Sequence, residues 1–194
     1  PPAGPCTAAE DPAYVAFGEP TLSGHVVFDA SHRQFHCIGR SYRGTADTLR
    51  ALGLEVDAGD LDTAADVRVV LPPRDPIGPA ETAALTAWVD AGGRLLVVAD
   101  HAPYPANLAP LANALGFAFG ADVVGPAGCA GDVSGDCGRY TFRDSGVVTY
   151  SGVAVYGGTP FLIFGDDAEV AGASAAGLAQ GALAQLGAGR VIVL

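Results

Sequence analysis

The chain has 194 residues, 49% of them hydrophobic and 16% charged, which suits one domain with a sizeable core and excludes a disordered chain or a coiled coil. Its formal net charge is −11, and all ten basic residues are arginine, so nucleic acid and anionic membrane surfaces are poor partners. No apolar run reaches the roughly 18–20 residues that a membrane-spanning helix needs.

Residues 1–22 are rich in proline and alanine and lack a period, so they read as an N-terminal arm. The chain contains no methionine, and its start at Pro1 reads as a mature terminus left after removal of a signal sequence, which places the protein outside the cytoplasm, secreted or periplasmic. Four cysteines fit an oxidising compartment. Of the three pairings, the short Gly-rich loop 125–138 favours Cys129 with Cys137, leaving Cys6 to join Cys37. Four free thiols in a cytosolic protein is the competing reading.

His25 to Asp29 is the first strand. Thr45 to Leu52 is predicted as a helix, with Ala46, Leu49 and Leu52 on one face and Gly53 as its C-cap. Short strands follow at 54–56 and 67–71. Pro79 to Ala91 is the clearest helix: Pro79 suits its first turn, Glu81 its positive end, and Ala84, Leu85, Trp88 and Val89 form one apolar face. Arg94 to Ala99 is a continuous apolar strand of the kind covered on both faces. Asn107 to Leu115 is another helix. Strand and helix alternating across Gly-marked turns predicts a mainly parallel sheet with helices on both faces. Beyond residue 120 the pattern turns β-rich, with short antiparallel or peripheral strands at 141–150, 153–156 and 161–164. A weak helix is predicted at 178–186 and a last strand at 190–194, which ends abruptly enough to suggest that the native chain continues.

Chemistry-bearing residues gather where strands end. In a parallel α/β sheet, ligands bind outside the carboxyl ends of the strands. The first strand runs into Asp29, His32 and His36, and the strand at 94–99 runs into Asp100 and His101. His32 and His36 share a face if their segment is helical. With His101 they could hold a divalent transition metal such as zinc, leaving Asp29, Asp100 and His101 for acid–base work on a metal-activated water. The competing roles are plain: Asp29 and Asp100 as turn caps, and the histidines as packed or loop residues. Arg40, Tyr42 and Arg43 could position an anionic substrate near a helix start, or pair with the abundant acids. Cys37 beside His36 is a nucleophile only if no disulfide takes it. Asp132 and Asp136 lack calcium-loop spacing and read as solvated turn residues.

The segments Val26-Val27-Phe28-Asp29-x-x-His32, Gly39-Arg40-x-Tyr42, Trp88-Val89-x-x-Gly92-Gly93-Arg94-Leu95-Leu96 and Asp100-His101-x-Pro103 resemble secreted members of the class I glutamine amidotransferase-like superfamily. The resemblance is to the branch related to gliding-motility and intraflagellar-transport ("GIFT") domains. It covers residues 24–119, with 187–194 resembling the final strand. It implies a flavodoxin-like three-layer sandwich. It does not imply glutaminase activity, because the turn Ala99-Asp100-His101-Ala102-Pro103 lacks the nucleophilic cysteine and no histidine is followed two residues later by glutamate. Two functions therefore compete: a secreted hydrolase-like protein using the His/Asp cluster, and a non-catalytic module binding a small-molecule or polymer ligand (carbohydrate, peptide or cell-envelope material) at the same edge. A third reading is an accessory domain with a vestigial cleft. The sequence leaves the oligomeric state open.

Overall fold

The computed structural model describes residues 22–99, 103–119, 139–142, 151–154, 161–163, 168–173 and 179–193. β1 (His25–Asp29) lies between β2 (Glu55–Gly59) and β3 (Val67–Val70), parallel to both. β3 continues in parallel to β4 (Arg94–Val97), and β4 to β11 (Gly189–Val193). This gives the order β2-β1-β3-β4-β11, the flavodoxin-like arrangement in which strand order reverses between β1 and β3.

Antiparallel strands extend the far side. β10 (Ala179–Leu186) pairs with β11 and with β9 (Ala168–Ala173). β6 (Arg139–Phe142) and β7 (Ser151–Ala154) complete a nine-stranded sheet. β5 (Phe117–Phe119) and β8 (Phe161–Ile163) form a separate antiparallel pair. The other described C-terminal strands thus continue the main sheet. One expected element is corrected: 178–186 is not a helix but strand β10. Its alanines, leucines and glutamines favour a helix in isolation, yet ladders to β9 and β11 claim its backbone on both sides.

Helices cover both faces of the parallel half. On one face α1 (Arg43–Ala51) packs Ala46 with Val26, Phe28, Val56 and Val69. On the other, α2 (Pro79–Asp90) and α3 (Tyr104–Ala114) pack Leu85, Val89, Leu108 and Leu111 against Val70, Leu95, Val97, Val191 and Val193. Successive residues such as Val69 and Val70 enter opposite clusters because side chains alternate across a strand. α3 starts three residues earlier than its apolar pattern suggests, since Pro105 fits a first turn. Among the described residues no helix is long and apolar enough to cross a membrane.

The C-terminal end of α2 and the start of β11 are locked together. Ala188 donates its N–H to the Asp90 carbonyl at 3.0 Å, and Arg190 donates to the Gly93 carbonyl at 3.1 Å. This approach requires glycine at 189, where an added Cβ would lie 1.9 Å from the Val89 carbonyl oxygen. Gly189→Ala is expected to destabilise the protein by about 1–3 kcal/mol as the helix is pushed off the sheet. Urea denaturation measures it, and an unchanged midpoint would show that this contact does not set the packing distance.

Candidate functional site

Asp29 is the last residue of β1, and its side chain has no exposed surface. A buried carboxylate needs hydrogen bonds to all its lone pairs or it must be neutralised. Oδ1 accepts from the Ser31 N–H at 2.9 Å and from the Ser31 hydroxyl at 2.7 Å. Oδ2 accepts from His32 Nδ1 at 2.8 Å and from the Gln34 side-chain amide. Between those last two partners sits Arg33, whose φ of 47° is the only positive value at a non-glycine residue among the described residues. That left-handed backbone is costly for a residue with a Cβ and is held by its surroundings. Arg33 points outward and grips Asp75, with Nε to Oδ2 at 2.6 Å and Nη2 to Oδ1 at 2.5 Å. The pairing raises the arginine and lowers the aspartate pKa, both on an exposed surface.

The turn after β1 is stitched to the turn after β3. Arg74 and Asp75 donate their N–H groups to the His32 carbonyl at 3.1 and 3.2 Å, and Phe35 donates to the Pro72 carbonyl at 3.2 Å. Asn107 of α3 donates its side-chain amide to the carbonyls of Pro73 and Arg74, both at 3.0 Å. The polar cluster therefore lies at the topological switch point, where open α/β sheets take their ligands.

His32 is 5% exposed, and its other ring nitrogen meets a second carboxylate: Nε2 lies 3.2 Å from Glu81 Oε1. Glu81 sits in the first turn of α2 and accepts from the Gly78 N–H at 2.9 Å, closing the helix start. Acceptors lie beside both nitrogens, an arrangement that favours the doubly protonated imidazolium between two carboxylates. Burial pushes the His32 pKa down, but Asp29 and then Glu81 outweigh it, and the net direction is up. Glu81 is held below the ordinary carboxylate value, first by the Gly78 N–H and then by His32. This is not a Ser-His-Asp relay. Ser31 Oγ lies 3.0 Å from the same Nδ1 that Asp29 occupies, and it donates to Asp29.

The other expected site residues disperse. The segment after His32 is not an α-helix, so His36 is not carried onto the His32 face. Its ring stands edge-on to Phe35 at 4.8 Å and to Tyr42 at 5.9 Å, and Tyr42 in turn packs near Phe28 on the α1 face of the sheet. His32 instead faces Glu81 of α2. Of the expected ligands His32, His36 and His101, the first two are not in a group of three or more ligand atoms among the described residues, and His101 lies outside them. Among the described residues the one such group is His25, Glu55 and Asp57, whose ligand atoms lie within 4.8 Å of one another and could hold a metal ion. It sits at the amino end of β1, away from the cluster, and such exposed groups are common without an ion. Arg40 is exposed, and Arg43 leans towards Asp47 one turn on at 3.8 Å, so the acid-pairing role fits it. Cys37 is buried and has no disulfide partner among the described residues. Asp100, His101, Cys6, Cys129 and Cys137 lie outside the described residues, as do the arm 1–21 and loop 125–138.

A cavity of about 460 Å³ opens beside the cluster, lined in part by Ser31, Glu81, Asp60, Arg68 and Trp88. Glu81, Arg68 and Trp88 carry no chemistry in a reading by sequence spacing. Arg68 had a signal, since a charged residue inside the apolar strand Val67–Val70 is uncommon.

No protein-family model matches the chain, and no curated protein matches it. Solved structures do. The mmIFT52 N-terminal domain aligns with a TM-score of 0.68 at 14% identity, covering 87% of this chain and 84% of that one. Cytoplasmic protein STM3548 from Salmonella typhimurium gives 0.58 at 15%, covering 88% and 86%. A β-galactosidase from Rahnella sp. R3 gives 0.57 at 16%, covering 88% of this chain but 28% of that enzyme. At these identities the likeness is one of fold, and this chain spans little more than a quarter of the galactosidase.

The pair His32 and Glu81 fixes a pH window for stability. A raised His32 pKa adds stability that is complete below the unfolded value of 6.5 and is lost as pH rises through the folded value. A lowered Glu81 pKa adds stability that is complete above 4.5 and is lost as pH falls through its folded value. His32→Asn is therefore expected to cost most between these two values, about 1–3 kcal/mol, and less at alkaline pH. Urea melts of both proteins across the pH range check this, and a difference that grew above pH 7 would contradict the imidazolium assignment.

Proposed function

We propose that this chain is a binding module of the amidotransferase-like superfamily, in the branch related to GIFT domains, and that it holds a ligand in the crevice between the ends of β1 to β3 and α2 without transforming it. The observation that carries this reading is the saturation of the central acid–base pair. Asp29 accepts four hydrogen bonds from its own turn, and both nitrogens of His32 face carboxylates. A general base needs a free lone pair within reach of the proton it removes, and neither group offers one. Lowering of the Glu81 pKa makes that carboxylate a weaker base as well. The cavity beside them falls within the range of small-molecule sites, commonly about 300–1,000 Å³.

The likeness to the mmIFT52 N-terminal domain over most of both chains supports the branch assignment. The fold itself hosts many functions, so the reading rests on the site. Metal-assisted hydrolysis stays the competing proposal, and Asp100 and His101 are the residues it now depends on.

Purified protein is expected to show no turnover above background on a panel of chromogenic glycosides, esters and peptides, with or without added zinc. In the same buffers, thermal shift against soluble ligands of several classes (neutral sugars, sugar acids, amino acids, phosphate) is expected to raise the melting temperature with at least one. Saturable turnover abolished by His32→Asn or His101→Ala in a folded protein would reverse the assignment in favour of the hydrolase.

A further inference from the structure

The cavity beside Glu81 contains a charged group with few partners. Arg68 extends from β3 into the space between the sheet and α2 and is 8% exposed. Its guanidinium lies 4.3 Å from the centre of the Trp88 ring. One N–H donates to the Thr63 carbonyl at 3.1 Å, whereas the buried Nε has no partner. A guanidinium carries five donors, and leaving them dry in an apolar setting is costly. Among the described residues no carboxylate lies within ion-pair distance of Arg68, although Asp62 is near enough for its charge to act on the guanidinium.

The opposite need is present at the mouth. Asp60, Asp62 and Glu81 line the same cavity and are exposed acceptors, and Ser31 adds a hydroxyl. Between the donor wall and the acceptor rim lie the apolar surfaces of Trp88 and Leu85. A carboxylate or phosphate would satisfy Arg68 but would enter past three carboxylates in a chain of net charge −11. An ammonium ligand would satisfy the rim and leave Arg68 dry. A hydroxyl-rich ring accepts and donates from neighbouring positions, carries no charge and offers C–H faces to an indole. We infer that the crevice binds a neutral hexose unit of a saccharide, with Arg68 donating to ring hydroxyls, the rim acids accepting from them and Trp88 forming the wall. This assignment rests on the binding-module reading and names its ligand class.

Trp88 is the only tryptophan in the chain, so its emission reports on the cavity directly. The full chain is titrated with galactose, glucose, mannose and lactose, beside glucuronate, acetate, glycine and inorganic phosphate. A saturable change with at least one neutral sugar is expected. It should weaken at least tenfold in Arg68→Gln and several-fold in Asp60→Asn, which alters only an exposed rim residue and so keeps the test open if the Arg68 variant fails to fold. A response confined to glucuronate, acetate, glycine or phosphate would overturn the hexose assignment while leaving a binding module with a charged ligand. Equal affinity in Asp60→Asn and in folded Arg68→Gln would overturn the placement of the sugar. Silence with every probe would overturn the inference, and the turnover and thermal-shift assays then decide the module reading separately.

Discussion

A single buried carboxylate organises this end of the molecule. Asp29 ends a strand covered on both faces, so it cannot reach water, and its lone pairs must be met from nearby. All four donors come from Ser31, His32 and Gln34, within five residues of it. Wrapping so short a segment around one group leaves little freedom to the backbone, and Arg33 takes the left-handed conformation as a result. The same wrapping aims His32 at α2 and presents its carbonyl to Arg74 and Asp75. A hydrogen-bond requirement at one atom pair thus fixes how the β1 turn, the β3 turn and the first turn of α2 meet.

A second constraint is steric and acts from the far end of α2. A Cβ at Gly93 would lie 2.4 Å from the Trp88 ring, so the absence of a side chain there lets the indole lie flat against the turn. Gly189 admits the helix backbone to the start of β11 in the same way. With the helix seated this closely, Trp88 comes over Arg68 at cation–π distance. The two ends of α2 then hold different parts of one crevice. Glu81 in the first turn closes on His32, and Trp88 near the last turn covers Arg68.

Much of the parallel half is legible in the sequence because its signals are local. Apolar runs such as Leu95-Leu96-Val97 and the stop at Gly92-Gly93 depend only on near neighbours, and Asp29 with His32 stands out as polar residues after a buried strand. What escapes is what pairing at a distance decides. β10 carries good helix formers, yet β9 and β11 determine its conformation. The tie from His32 to Glu81 joins a turn to a helix that periodicity describes only as amphipathic. His36 looks like a companion of His32 by spacing, but a turn replaces the helix that would align them, and its ring packs against Phe35 and Tyr42 while His32 meets Asp29 and Glu81.

The distribution of satisfied and unsatisfied groups argues for what this crevice does. Catalytic acids and bases need pKa values near the working pH and an open coordination position. Here the two pKa values are pushed apart: that of His32 is raised and that of Glu81 lowered. Each group stabilises the other's charged form, which ties the β1 turn to the first turn of α2. Arg68 differs because its donors outnumber its acceptors. Among the described residues the acid–base groups are internally matched, while a buried donor beside a cavity is left short of acceptors, and that contrast is what supports the proposal of a binding module.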